Sequence, residues 1–233
     1  MISVPKSERH ALVPSENLTE SRYDWTFKTL ERMRHSLLSK TILDIGAGDG
    51  RMKRIETLGL TWRGFDLNPV MPEIIRWDLT DPCSVCDIQP GAAILLDVIE
   101  HCVNPGLALR NISNILPVDA YLILTMPNPR WSWSRTYALV YGLPRCFTQS
   151  DLDQNHHIFP PWPHIIEKML RDVGLSIEEY ITLDGMTGWP TRPLSLSFPL
   201  RCAHSLLTFL IEKFDRSACG MSYGLVARKT KSL

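Results

Sequence analysis

The chain has 233 residues, of which 44% are hydrophobic. This length and composition suffice for one sizeable core, favour a single domain over residues 1–233, and exclude disorder as the dominant state. The 25 lysine and arginine residues balance the 25 aspartate and glutamate residues. Because the net charge is zero, no global field attracts the protein to nucleic acid, and such a partner would have to be recognised locally.

Hydropathy and cysteine content predict a location. The longest stretch without Asp, Glu, Lys or Arg covers residues 154–166, well short of the roughly 18 apolar residues that a membrane-spanning helix needs. Residues 1–16 contain no apolar signal-peptide region. We therefore expect no transmembrane segment, a cytoplasmic protein and reduced cysteines. Cys83 and Cys86 have the spacing of half a zinc site, but no second pair completes it, so we interpret these thiols as structural.

The predicted elements begin after a polar, proline-bearing arm at residues 1–17, which we expect to be loose. From residue 21 to residue 39, apolar side chains recur every three or four positions, as in an amphipathic helix. Short apolar runs then alternate with helical segments, which predicts an α/β fold with a mostly parallel sheet covered on both faces. The predicted strands cover residues 41–46, 61–66, 74–78, 92–96, 121–126, 176–183 and 222–228. Two later helices are predicted to start at Arg51 and Pro105. Two more are predicted over residues 163–173 and 206–214.

A glycine-rich loop ends the first predicted strand. It runs from Asp44 to Gly50 with the sequence DIGAGDG and leads into a helix start, so that a ligand can approach the backbone closely. Asp66 ends the second predicted strand, twenty residues after Gly46, where it can accept hydrogen bonds from two ribose hydroxyls. Arg51 occupies the position of the third glycine of a dinucleotide fingerprint, which disfavours NAD.

These segments resemble class I S-adenosylmethionine-dependent methyltransferases over nearly the whole chain. ILDIGAGDG is similar to the first motif of that family, GFDLNP to its second-strand acid, WDLTDP to its adenine-side loop, and LLDVIEH with ILTMPNP to its fourth and fifth strands. The pattern PN…R…L…G…LDxxHxxF over residues 127–159 is similar to ubiquinone-biosynthesis and glycan-cluster methyltransferases. The resemblance implies a Rossmann-like sheet of seven strands, the last antiparallel, and S-adenosylmethionine as cofactor.

The resemblance also implies which residues bind this cofactor. Asp44 would reach its amino group, the glycine loop its methionine and ribose parts, and Asp66 its ribose hydroxyls. Leu67 would pack on the adenine, with Asp78 and Leu79 at its edge; the alternative for Asp78 is an ordinary loop carboxylate. The expected cofactor-binding residues are Asp44, Gly46, Ala47, Gly48, Asp66, Leu67, Asp78, Leu79 and Asp97.

Methyl transfer to a hydroxyl of high pKa needs alignment of the two reactants and a general base. Glu100 and His101 leave the strand at residues 92–96, at the sheet edge where open parallel sheets bind ligands. His156 and His157 lie in a later loop that could approach the same edge. We expect one of these histidines to be the base and group all three with Glu100 as catalytic candidates. The alternatives are a helix-start role for His101 and loop packing for the other two.

The order Asp97, Glu100 and His101, with a later histidine, also resembles the metal-binding set of small-RNA 2′-O-methyltransferases and some ubiquinone-pathway enzymes. In this chain the first acid is Asp and not Glu. Many relatives with a similar sequence bind no metal, so the use of a divalent ion stays open.

Two segments interrupt the alternation of strands and helices, at residues 127–162 and 184–221. The second is too long for a hairpin turn, and the apolar stripe of its helix has to be buried. We expect this segment to form a lid over the acceptor that packs on residues 127–162; a homodimer interface or a membrane contact are the alternatives. The tryptophans of both segments either stack on a flat substrate or pack the segments together. They are Trp131, Trp133, Trp162 and Trp189.

We interpret the protein as a methyltransferase that acts on a small-molecule acceptor, with oxygen as the expected acceptor atom. One alternative is an RNA 2′-O-methyltransferase with a divalent metal, which the zero net charge disfavours. Another is a non-catalytic, cofactor-binding interaction module. The intact glycine loop and Asp66 oppose that last interpretation.

Overall fold

The computed structural model describes residues 12–84, 88–185 and 198–231. Within them, eight strands form one sheet in the order β1-β7-β8-β6-β5-β2-β3-β4. All pairs are parallel except those that β8 makes with β6 and β7. The strands are β1 (Glu16–Asn17), β2 (Thr41–Ile45), β3 (Thr61–Asp66), β4 (Ile75–Arg76), β5 (Ala92–Leu96), β6 (Tyr121–Pro127), β7 (Leu175–Leu183) and β8 (Ser222–Lys229).

The predicted mostly parallel α/β sheet with an antiparallel last strand is confirmed, with one addition. The arm was expected to be loose, but its part at residues 12–17 contains β1, which pairs with β7. The backbone N–H groups of Ser15 and Leu18 donate to the carbonyls of Tyr180 and Thr182 at 2.8 Å. The arm is therefore ordered by backbone hydrogen bonds, which its side-chain sequence does not signal. Residues 1–11 lie outside the described part of the chain.

Six α-helices and three short 3₁₀ helices surround the described part of the sheet. The first, α1, begins after the N-cap Ser21 as predicted but ends at Met33, well before residue 39. The hydroxyl of Ser36 donates to the carbonyl of Met33 and so competes with continued helix. The helices are α1 (Arg22–Met33), α2 (Pro105–Ile115), α3 (Ser132–Tyr141), α4 (Gln149–Asn155), α5 (Pro163–Asp172) and α6 (Phe198–Phe214); the 3₁₀ helices are Arg51–Leu58, Ile99–His101 and Arg216–Ala218.

The core consists of one apolar layer on each face of the sheet. Alternate strand residues point to opposite faces, so Leu43 and Leu95 pack with α2 and α5, while Ile42 and Ile94 pack with α1 and the Arg51–Leu58 helix. Because both faces are covered, the strands read as continuous apolar runs. Because β2, β3, β5 and β6 run parallel, their carboxyl ends meet at one open edge of the sheet.

The two interrupting segments pack on each other beside this edge. In the first, α3 meets α6 of the second: the hydroxyl of Ser132 donates to Glu212, and Thr136 Oγ1 lies 2.8 Å from His204 Nε2. This agrees with the packing that we predicted between the segments. The helix was also expected to bury its apolar stripe, yet Leu206 is 49% and Phe214 84% exposed. Residues 186–197, with Trp189, lie outside the described residues. No helix in the described ranges combines the length and hydropathy of a bilayer span.

Candidate active site at the carboxyl ends of the strands

The glycine loop turns sharply away from β2. The N–H groups of Gly46 and Ala47 both donate to the carbonyl of Phe65, at 2.8 and 3.0 Å. Gly46 has φ of +77°, and a Cβ at this position would lie 2.3 Å from Cγ2 of Val98. Only glycine fits both constraints without strain. The loop thereby packs against the residues that leave β5.

Asp66 fixes the loop from the neighbouring strand β3. Its Oδ2 accepts a hydrogen bond from the N–H of Gly48 at 2.9 Å, and its Oδ1 accepts one from Asn68 at 2.8 Å. Each carboxylate oxygen keeps a further lone pair for another donor. Asp66 thus couples the ends of β2 and β3 and remains able to bind hydroxyl groups.

A cavity of about 310 Å³ opens above the loop. Four residues of the predicted cofactor set line it: Asp44, Gly46, Ala47 and Gly48. Leu96, at the end of β5, forms another part of the wall. Tyr23 also lines the cavity, from α1, although no sequence motif indicated it. Its ring centroid lies 4.5 Å from the guanidinium carbon of Arg51.

Asp44 is a buried ionisable group in the wall of this cavity. It is 3% exposed, and its Oδ2 accepts a hydrogen bond of 2.8 Å from the indole N–H of Trp62. Burial raises the pKa of Asp44 to about 6, although the Trp62 hydrogen bond opposes that shift. Among the described ion pairs, none involves Asp44. A buried carboxylate without a cationic partner is suited to a cationic ligand group.

The remaining predicted cofactor residues lie off the cavity wall, and their roles stay predictions. Leu67 is 47% exposed beyond the end of β3. Asp78 accepts hydrogen bonds from the backbone and hydroxyl of Thr80, which hold the pKa of Asp78 below its usual value. Leu79 packs against the core, and its carbonyl accepts from Asn111.

Asp97 joins α1 to the end of β5. Its carboxylate lies 2.7 Å from Nε of Arg22 and accepts a hydrogen bond of 3.2 Å from Thr125. Arg22 also reaches Asp184 at 3.8 Å. The backbone of Asp97 has φ of +54°, a conformation that residues other than glycine rarely adopt. This geometry directs the following residues, Val98 to His101, along the open edge.

Glu100 is buried without a hydrogen-bond partner. The residue is 0% exposed, and neither carboxylate oxygen has a partner among the described residues. Burial, together with the nearby charge of Asp97, raises the pKa of Glu100 well above its usual value. Burial therefore favours the neutral carboxyl group over the carboxylate, and a bound cation would oppose this.

The structure brings the rings of His101 and His157 together, with their centroids 5.0 Å apart. His101 Nδ1 lies 3.3 Å from the carbonyl of His156, and His157 Nδ1 lies 2.7 Å from that of Cys146. A carbonyl only accepts, so each Nδ1 carries a proton, and Nε2 is then the acceptor atom when the ring is neutral. Burial and the neighbouring His157 lower the pKa of His101, which favours its neutral form. His156 is exposed, has φ of +55° and contributes its carbonyl.

These groups also form a candidate metal site. One ligand atom from each of Glu100, His101 and His157 lies within 4.8 Å of the other two. Histidines that bind metals usually donate their second ring N–H to a carbonyl or carboxylate, as both rings do here. Asp97, the first acid of the predicted set, instead pairs with Arg22.

A polar cluster that the sequence analysis missed lies beside the site. Arg130 and Arg135 both contact Asp215, at 3.5 and 2.6 Å. Partial burial alone would raise the pKa of Asp215, but hydrogen bonds from Ser217 and Arg135 lower it to about 2. The amide of Asn128 donates to three carbonyls of residues 217–220. These contacts fix α3 to the turn before β8.

Two tryptophans of the first interrupting segment take part in packing. The rings of Trp131 and Trp133 stack at 5.8 Å, with the guanidinium of Arg145 over both of them. Trp133 also meets His204 of α6 edge to face at 4.7 Å. These tryptophans therefore pack the interrupting segments together. Trp162 is the N-cap residue of α5.

Comparisons with known proteins agree on one fold. Residues 20–180 match a family described as "Methyltransferase domain". An S-adenosylmethionine-dependent methyltransferase from Archaeoglobus fulgidus superposes with a TM-score of 0.60 at 16% identity, over 90% of this chain and 95% of that one. A proposed sarcosine dimethylglycine methyltransferase from Galdieria sulphuraria gives 0.57 at 14% identity, over 91% and 86%. No curated protein matches the sequence. At such low identity the structural matches show the fold.

Proposed function

Because the chain belongs to the methyltransferase domain family and its cofactor is S-adenosylmethionine, we propose that it methylates an oxygen atom of a small-molecule acceptor. The proposal assigns the general base to His101 or His157. The observation that carries it is the pair of imidazoles at the open edge, whose Nδ1 atoms are bound to carbonyls and whose Nε2 atoms are free to accept a proton.

The cavity at the glycine loop fits this cofactor. The buried, unpaired carboxylate of Asp44 would hold the amino group, and Asp66 would hold the ribose hydroxyls with its remaining lone pairs. Leu67, Asp78 and Leu79 would take the adenine side. When bound, S-adenosylmethionine supplies an electrophilic methyl group on a sulfonium sulfur. The chain itself orients the acceptor, excludes water and removes a proton.

Proton removal requires an imidazole that is unprotonated before it meets the acceptor. The lowered pKa of His101 favours this neutral form. The raised pKa of Glu100 favours a neutral carboxyl group beside His101. Acceptor oxygen and imidazole can then meet without a competing ion pair.

Histidine substitutions test the proposal. In His101→Ala and His157→Ala, at least one variant is expected to lose about 100-fold in turnover while its affinity for S-adenosylhomocysteine stays unchanged. Methylated products from a panel of phenols, catechols and alcohols would be measured by mass spectrometry. His156→Asn is the matched control, since Asn tolerates positive φ and keeps the carbonyl. Full activity of both alanine variants would contradict the proposal.

A second candidate function is methylation of an RNA 2′-hydroxyl with a divalent ion. The clustering of Glu100, His101 and His157 favours it, because an ion would satisfy the orphaned carboxylate. The balanced charge of the chain opposes it. Chelation should then abolish activity and Mn²⁺ should restore it. Full activity in chelator, with no methylation of RNA oligonucleotides, would exclude this candidate.

A further inference from the structure

We infer, on the basis of the proposed methyl transfer, that the acceptor is an uncharged molecule whose apolar body binds in a groove beside His157. The groove encloses about 340 Å³ between the α3–α4 connection and the loop after α4. Its walls include Phe147, Leu152, Ile158 and one face of His157. This volume lies in the range of small-ligand sites.

The lining of the groove selects against charge. None of the residues that form its walls is Asp, Glu, Lys or Arg. Two of the polar side chains are already engaged, since the hydroxyl of Thr148 donates to Asp151 and the amide of Gln149 donates to Asp153. Nε2 of His157 takes part in none of the described hydrogen bonds. A charged ligand group would lose its hydration there without gaining an oppositely charged side chain from the wall.

A chain of ring contacts leads from the groove to the residues that follow β5. The His157 ring lies 5.6 Å from that of Phe147 in the groove and 5.0 Å from that of His101 at the strand ends. His101 follows Leu96, which lines the cofactor cavity. An acceptor seated in the groove would therefore present its hydroxyl at the histidines and toward the cofactor.

Backbone hydrogen bonds hold the groove and the two histidines in fixed positions relative to each other. The N–H groups of Ile158 and Phe159 both donate to the carbonyl of Glu100 at 3.0 Å. The loop that carries His157 is thus bound to the 3₁₀ helix that carries His101. Meanwhile Leu152 and Ile158 remain 38% and 41% exposed at the rim. A built apolar groove with exposed rim residues is suited to an aromatic or aliphatic ligand.

Titration of the full chain, loaded with S-adenosylhomocysteine, tests this inference. The neutral probe 1-naphthol should bind saturably, and its charged analogue 1-naphthoate should bind at least tenfold more weakly. Leu152→Trp fills the groove and should weaken 1-naphthol binding at least tenfold. Leu139→Trp is the matched control, because Leu139 is 82% exposed on α3 outside the groove, and it should bind like the parent. Ile158→Trp serves if Leu152→Trp fails to fold.

The outcomes separate the inference from the proposed function. Absence of saturable 1-naphthol binding, equal binding by both tryptophan variants, or equal affinity for 1-naphthoate would overturn the inference while the cofactor still binds. Failure to bind S-adenosylhomocysteine at all would instead overturn the proposed function.

Discussion

Two parts of the open edge are built in different ways. We call the glycine loop with Asp44 and Asp66 the proposed cofactor side, and the surroundings of His101 and Asp215 the proposed acceptor side. On the cofactor side, Asp66 bonds Gly48 and Trp62 bonds Asp44, each across 18 positions of the chain. On the acceptor side, Arg135 bonds Asp215 across 80 positions, and His101 meets the carbonyl of residue 156 across 55. The first is a local construction of two neighbouring strands and their turns. The second depends on segments that approach each other only in the finished fold, so the two sides should respond separately to substitution.

Gly46→Ala should have the largest effect, because Gly46 is where the two sides touch. Positive φ and the approach of Val98 to 2.3 Å together predict a loss of about 3 kcal/mol in the free energy of unfolding. Gly59→Ala is the control, since Gly59 has a similar φ and open space around it, and should cost about 1 kcal/mol. Urea unfolding measures both. Adding Val98→Ala to Gly46→Ala should recover part of the loss, and equal stability of the two glycine variants would refute the close-approach argument.

Asp66→Ala should damage the cofactor side alone. Lost hydrogen bonds to the ribose and to Gly48 predict affinity for S-adenosylhomocysteine weaker by about 1.5–3 kcal/mol in calorimetric titration. Asp66→Asn keeps one acceptor oxygen, so its affinity for S-adenosylhomocysteine should lie between those of Asp66→Ala and the parent protein. Binding of 1-naphthol should not change. Parent-like cofactor affinity in Asp66→Ala would remove Asp66 from the site.

Asp44 should make cofactor affinity depend on pH. Its folded pKa of about 6 lies above the ordinary value of 3.8, so the unliganded fold gains stability from the neutral form and loses it as pH rises from about 4 through 6. A cationic ligand group needs the ionised form. Affinity for S-adenosylhomocysteine should therefore fall by up to about tenfold per unit, or about 1.4 kcal/mol, below pH 6. Asp44→Asn should bind weakly at every pH, and a flat profile in the parent protein would contradict this assignment.

Asp215→Asn should have the smallest effect, a loss in the free energy of unfolding. The pKa of Asp215 is lowered to about 2, so its ion pairs stabilise the fold above pH 4, and that stability disappears as pH falls toward 2. Because the group is a third exposed, we expect a loss of about 1 kcal/mol at pH 7 and none at pH 2. Asp153→Asn on α4 is the control. A changed affinity for S-adenosylhomocysteine would show that the two sides are coupled.

The same contrast explains what the sequence predicted. The strands β2, β3, β5 and β6 and the loop at Asp44 were found because a short strand-like segment that ends at a glycine, an acid or a proline is visible within ten residues. β1 was missed, since its order comes from backbone bonds to β7. Contiguous motifs therefore sufficed for most of the sheet and for the cofactor loop.

The acceptor side was only partly predictable. His101 was predicted from its place after a strand and His157 from a later loop, but nothing local indicated that their rings would meet or that the carbonyl of His156 would lie beside His101. The contact of Arg22 with Asp97 joins residues 75 positions apart in the numbering. Likewise, the groove beside His157 arises from the packing of the α3–α4 connection, α4 and the following loop. Such contacts have no signature in a single sequence.

The position of β8 between β6 and β7 has a consequence for biosynthesis. A nascent chain that has emerged as far as residue 183 contains two strands whose shared partner has not yet been made. Their unpaired edges and the apolar side chains of Leu124 and Ile181 would then be open to other chains. We expect this half of the sheet to close only after Lys229 has left the ribosome, whereas β2, β3 and β5 can pair earlier in synthesis.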